Sequence, residues 1–175
     1  MRAVQDFYPE DFAHCYGCGR LNRDGLHVRT VWRGDVTVAT FTPRAGQVAL
    51  PGFVYGGLIA SLIDCHAMGT AAAAVERAAG RDIGVAPAPR YVTASLHVEF
   101  LKPTPHGPEL ELVAHAIEIS GRKVTVSVEV RADGILTVSA TVIAVAMPDS
   151  MRAMTQRFAE GSAGESTGPT TGESS

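Results

Sequence analysis

A chain of 175 residues, 46% of them apolar, is long enough to bury the core of one domain without disulfide staples. Its net charge of −3 offers no footprint for nucleic acid or an anionic membrane, so a small-molecule partner is expected. No run is read as the ~18 to 20 apolar residues of a membrane span. The start MRAVQDFYPEDF has acids where a signal peptide needs basic and then apolar residues, which sets the expectation of a cytoplasmic protein.

In chain order, the loop-rich N-terminus comes first. Its HCYGCG stretch carries two of the three cysteines at CxxC spacing. Zinc would need further ligands, and no second CxxC or HxxxH follows. A redox pair would open a helix after a strand, whereas GRLNRDGL is turn chemistry, so a glycine-rich structural loop with no metal is expected. Residues 26–32 and 36–41 then read as strands around Arg33-Gly34-Asp35, a hairpin signal. After a Pro- and Gly-containing loop, residues 56–79 read as one apolar helix that stops near Gly80.

Strict alternation follows. Val92, Ala94, Leu96, Val98 and Phe100 share one face of a strand, with Thr93, Ser95, His97 and Glu99 opposite. Leu110 to Ala116, Val124 to Val130 and Leu136 to Ala144 repeat the pattern, with turns at Ser120-Gly121 and Asp133-Gly134. Consecutive strands joined this way predict an antiparallel meander packed on the one long apolar helix. Residues 149–159 read as a short helix, and the polar stretch after it lacks the apolar residues to order itself.

The helix contains one carboxylate, Asp64, in an apolar setting where an unpaired charge is costly. At ~100° per residue Gly57, Ser61, Asp64 and Met68 fall on one stripe, while His66 points about 160° away from Asp64 and cannot form a dyad with it. Cys65 is read as core packing. Glycines at a helix start leave backbone N–H groups open to a carbonyl oxygen that gains negative charge, and Asp64, about two turns on, is expected within reach of that carbonyl. A structural reading stands beside this one: Asp64 bonded to Ser61, a loop or an arginine.

Four stretches, CYGCGRLNRDGLHV, VYGGLIASLID, VTASLHVEFLKPTP and TVSATVIAV, occur in the order and spacing of a known family. The chain resembles the hotdog-fold acyl-CoA thioesterases of the phenylacetate-pathway type over about residues 15–146. The resemblance implies an α+β hotdog fold, with an antiparallel sheet of about five to six strands wrapped around one central helix. It divides the chain into an entry segment (1–25), a hotdog domain (26–148) and a short helix with a disordered tail (149–175). It implies hydrolysis of an acyl-CoA or acyl-carrier thioester, with Asp64 as nucleophile or general base and the Gly56 or Gly57 N–H as oxyanion donor. Ser61, Met68, Arg90 and Lys102 are candidate substrate contacts, the last two for the coenzyme A phosphates. By position, Thr93 matches a hydroxyl that orients the attacking water from the partner subunit. No cofactor is implied beyond the coenzyme A of the substrate, and a homodimer or a dimer of dimers is expected. Where the pattern has His before Gly-Gly, this chain has Tyr55, which donates a hydrogen bond but does not titrate near neutral pH. The alternative is a hotdog module that binds an acyl thioester or aromatic acid without turnover.

Overall fold

A computed structural model describes residues 2–84 and 87–164, with side chains as far as residue 158. Two short 3-10 turns, Val4–Phe7 and Glu10–Phe12, lead into β1 (Val31–Arg33) and β2 (Val36–Phe41). Then come α1 (Gly56–Ala78), β3 (Tyr91–Phe100), β4 (Leu110–Ser120), β5 (Lys123–Ala132), β6 (Ile135–Ala146) and α2 (Asp149–Gly164). The six strands form one antiparallel sheet in the order β1-β2-β4-β5-β6-β3, with α1 held against it: the hotdog arrangement.

Turn chemistry sets the β5–β6 hairpin. Asp133 and Gly134 both adopt positive φ (50° and 74°), as a two-residue turn between twisted strands requires, and Ala132 pairs with Ile135 across it. The β5 side chains of Val124, Val126, Val128 and Val130 are fully buried. Ala71, Ala72 and Ala73 of α1 are equally buried, and their small size lets the helix axis approach the sheet.

Three expectations change. The strand read at residues 26–32 shrinks to Val31–Arg33. His27 takes a positive φ of 55°, and the backbone before β1 pairs with the entry loop instead, Leu26 N–H to Tyr16 O (2.8 Å) and Val28 N–H to Gly17 O (2.9 Å). The meander holds for β4, β5 and β6 but not for β3, which lies at the far edge beside β6. The nine-residue connection 101–109 contains three prolines and is too long for a hairpin; it crosses the sheet end, where Thr104 O takes the Val54 N–H just before α1 (3.0 Å). Finally, α1 is long and apolar enough to pass for a membrane span, 23 residues with a window of mean hydropathy 1.5. That window is 72% buried within the protein, so α1 is a core helix.

At the C-terminus α2 continues to Gly164, past the expected end. The disordered tail expected beyond it falls on 165–175, outside the described residues.

Candidate active site

Tyr55 caps α1 with extended backbone (φ −63°, ψ 125°), and its carbonyl accepts the N–H groups of Leu58 (3.1 Å) and Ile59 (3.3 Å). Among the described residues nothing accepts the N–H of Gly56 or Gly57. Two donors at the positive end of a 23-residue helix are therefore unspent.

The two glycines face different surroundings. A Cβ on Gly56 would lie 3.3 Å from the Phe100 ring. Gly56 opens on a cleft of about 430 Å³ shared with Phe53, Phe100, Leu101 and Lys102. Gly57 lies under the Tyr55 ring, whose atoms come within 2.5 Å of where a Cβ would stand. It borders a smaller cleft of about 200 Å³ with Tyr16, Gln47, Tyr55 and Ser61. The Ser61 hydroxyl is occupied in donating to Gly57 O (2.9 Å).

Asp64 is half-buried on the side of α1 that meets β3. Its Oδ1 accepts a short hydrogen bond from the Thr93 hydroxyl of the same chain. Burial pushes its carboxyl above the ordinary carboxylate value, the Thr93 hydrogen bond pulls it partly back, and Cys15 adds to the rise. The structure thus joins Asp64 to Thr93, which the sequence resemblance assigned to the partner subunit.

Gly56 and Asp64 do not meet. Eight residues of helix at ~1.5 Å each set their Cα atoms about 12 Å apart along the axis.

The remaining candidates fall in different places. Lys102 stands beside Gly56 in the larger cleft. Met68 is 7% exposed and packs in the core. Arg90 is half-buried and stacks on the ring of buried Tyr8, 4.0 Å from its centroid, with its Nε buried and without a hydrogen-bond partner. Phe100 and Leu101, which wall the Gly56 cleft, were absent from the sequence candidates. Their signal was an apolar residue at each side of the strand end in EFLKP.

Residues 51–139 match the family model described as Thioesterase superfamily. A solved thioesterase superfamily protein from Shewanella loihica PV-4 is 44% identical, covers 78% of this chain and 96% of its own, and has a TM-score of 0.61. The structure of smu.793 from Streptococcus mutans UA159, bound to acetyl CoA, is 16% identical over 69% of this chain and 88% of its own, with a TM-score of 0.53. The E. coli PaaI protein from the phenylacetic acid degradation operon is 14% identical over 70% and 81%, with a TM-score of 0.56. These two are likenesses of fold. No curated protein matches the chain. With half of its length matched by the family model, and a relative at 44% identity covered almost from end to end, this chain belongs to the thioesterase superfamily.

Proposed function

We propose that the protein hydrolyses an acyl-CoA or acyl-carrier thioester to the free acid and thiol in the cytoplasm. The carrying observation is the pair of groups α1 displays: a carboxylate positioned by Thr93, and unspent N–H donors at the helix start. Thioester hydrolysis needs a group to deliver or become the nucleophile and a donor for the carbonyl oxygen; a thiolate leaves without prior protonation. Asp64 takes the first role, as general base or nucleophile, and Gly56 the second. Gly56 is favoured over Gly57 because the Tyr55 ring covers Gly57. No cofactor is called for beyond the coenzyme A of the substrate, for which Lys102 offers a cation beside the Gly56 cleft.

A rise of about 12 Å along the helix from Gly56 to Asp64 supports a site completed across a homodimer, Gly56 of one chain facing Asp64 of the other. Apolar side chains around the helix start are left uncovered in the single chain, among them Leu50 (67% exposed), Tyr55, Phe100 and Leu101. Strand β3 also leaves one edge of the sheet unpaired.

The covered Gly57 favours a second reading, in which the cleft binds an acyl thioester without turning it over. Free-thiol release from a panel of acyl-CoAs separates the two. Release from at least one acyl-CoA, lost in Asp64→Asn while the variant still folds, is the expected result. Binding without release, or release that Asp64→Asn leaves intact, assigns the protein to the second reading or removes Asp64 from the chemistry.

A further inference from the structure

The three cysteines, far apart in sequence, meet in space. The sulfur atoms of Cys15, Cys18 and Cys65 all lie within 4.8 Å of one another, and the Cys15 and Cys65 sulfurs are 3.7 Å apart. Tetrahedral zinc with Zn–S bonds of ~2.3 Å sets its sulfurs about 3.8 Å apart. That edge length is already present between the entry loop and α1.

The loop is built tightly around the cluster. A Cβ on Gly17 would collide with the Cys65 sulfur, and one on Gly19 would come 2.5 Å from the Cys15 nitrogen and from Ala13 O. Gly19 N–H bonds Cys15 O at 2.7 Å, closing the CxxCG turn. Outside this loop, Arg90 stacks on the Tyr8 ring, and its buried Nε has no hydrogen-bond partner. Three thiolates around a divalent cation carry one net negative charge.

We propose that Cys15, Cys18 and Cys65 bind one thiophilic divalent cation of the zinc type, with water in the fourth position. Binding exchanges three thiol protons for the ion. Its consequence is mechanical: it clamps an entry loop with little regular structure onto α1, one residue from Asp64 in the chain and independent of the hydrolytic assignment. The CxxC spacing alone supplied two ligands; the third comes from the helix, from the residue that the sequence pattern assigned to core packing.

The test uses the full chain, reduced, stripped of metal and titrated with Co²⁺ alone. The expected result is uptake of about one Co²⁺ per chain, with the absorption of a tetrahedral site and a thiolate-to-cobalt charge-transfer band, both displaced by Zn²⁺. Cys65→Ser, with its fold checked by circular dichroism, should lose the stoichiometric uptake. Folded, reduced wild-type protein that shows no such band overturns the proposal whatever the variants do. So does a Cys65→Ser variant that keeps the full band. So does a chain that forms a Cys15–Cys65 disulfide on oxidation and binds no Co²⁺ once reduced.

Discussion

Thr93 reaches Asp64 because Ala94 is left over in the ladder between β3 and β6. Thr93 pairs with Ala144 and Ser95 with the adjacent Ile143, so one residue of β3 has no partner. An extra residue of this kind switches the face on which the following side chains lie. Tyr91 is buried and Thr93 bonds to α1, while beyond the bulge Val98 packs on the core and Phe100 meets Gly56. Uninterrupted alternation puts Thr93 on the face opposite Val98 and Phe100; the bulge gives both access to the helix. Thr93 is a positioning residue for the proposed base. A hydrogen bond to a charged group is worth about 1.5 to 3 kcal/mol, so Thr93→Val should lower kcat about 10- to 100-fold with KM little changed. Thr93→Ser, which keeps the hydroxyl, should restore it. An unaltered kcat in Thr93→Val removes this residue from the mechanism. At this scale Asp64 was legible as a misplaced charge and the glycines as a helix start. Ala94 was not: nothing in an alanine within an alternating run marks the residue a strand leaves unpaired.

Helix α1 is fixed in rotation by polar contacts on its side away from Asp64. His66 Nδ1 lies 3.0 Å from Thr30 Oγ1, which also takes a hydrogen bond from Gln5 Nε2 (3.0 Å), while Gln5 Oε1 accepts the Thr30 N–H (2.8 Å). One turn on, the Thr70 hydroxyl pairs with Thr37 at 2.6 Å. Thr30 Oγ1 accepts from Gln5 and keeps one proton that it can donate to His66 Nδ1, while His66 Nε2 is buried with no hydrogen-bond partner. Burial holds the His66 pKa down at about 4, opposed in part by the Thr37 backbone. The unfolded chain binds this proton below about pH 6.5, and the folded one only near pH 4. The native state is therefore unpenalised above pH 6.5 and loses stability as pH falls toward 4, by about 3 kcal/mol in full. The side chains bonded around the ring, Gln5, Thr30, Thr37 and Thr70, carry no charge that would offset this. Urea denaturation at about pH 7 and about pH 4.5 should show the drop, and it should flatten in His66→Gln. An equal drop in the variant assigns it to another group. The helix itself was readable to within a residue from its apolar run and Gly80, and the strands from alternation. The network was not, since its members come from segments 25 to 36 residues apart that only the fold brings together.

At the scale of the whole molecule, the proposed site divides between two ends of one helix segment about 12 Å apart along its axis. The two halves can be disabled separately with little cost to folding. Gly56 is the first residue of α1, where proline is well tolerated because its missing N–H makes no intrahelical bond, and the extended Tyr55 suits the position before a proline. Gly56→Pro therefore deletes the proposed oxyanion donor and preserves the helix. Asp64→Asn deletes the carboxylate at nearly constant shape. Each variant alone should be folded and inactive. In a mixed dimer, one chain then keeps Asp64 and the other keeps Gly56. If each site draws one group from each chain, the hybrid contains one intact site and one doubly disabled site. Random re-assortment makes half of the dimers hybrids, so the mixture should regain about a quarter of wild-type thiol release. If each site is built within one chain, both sites of the hybrid lack a group and the mixture stays silent. Two inactive proteins that become active on mixing would fix the dimer as the catalytic unit.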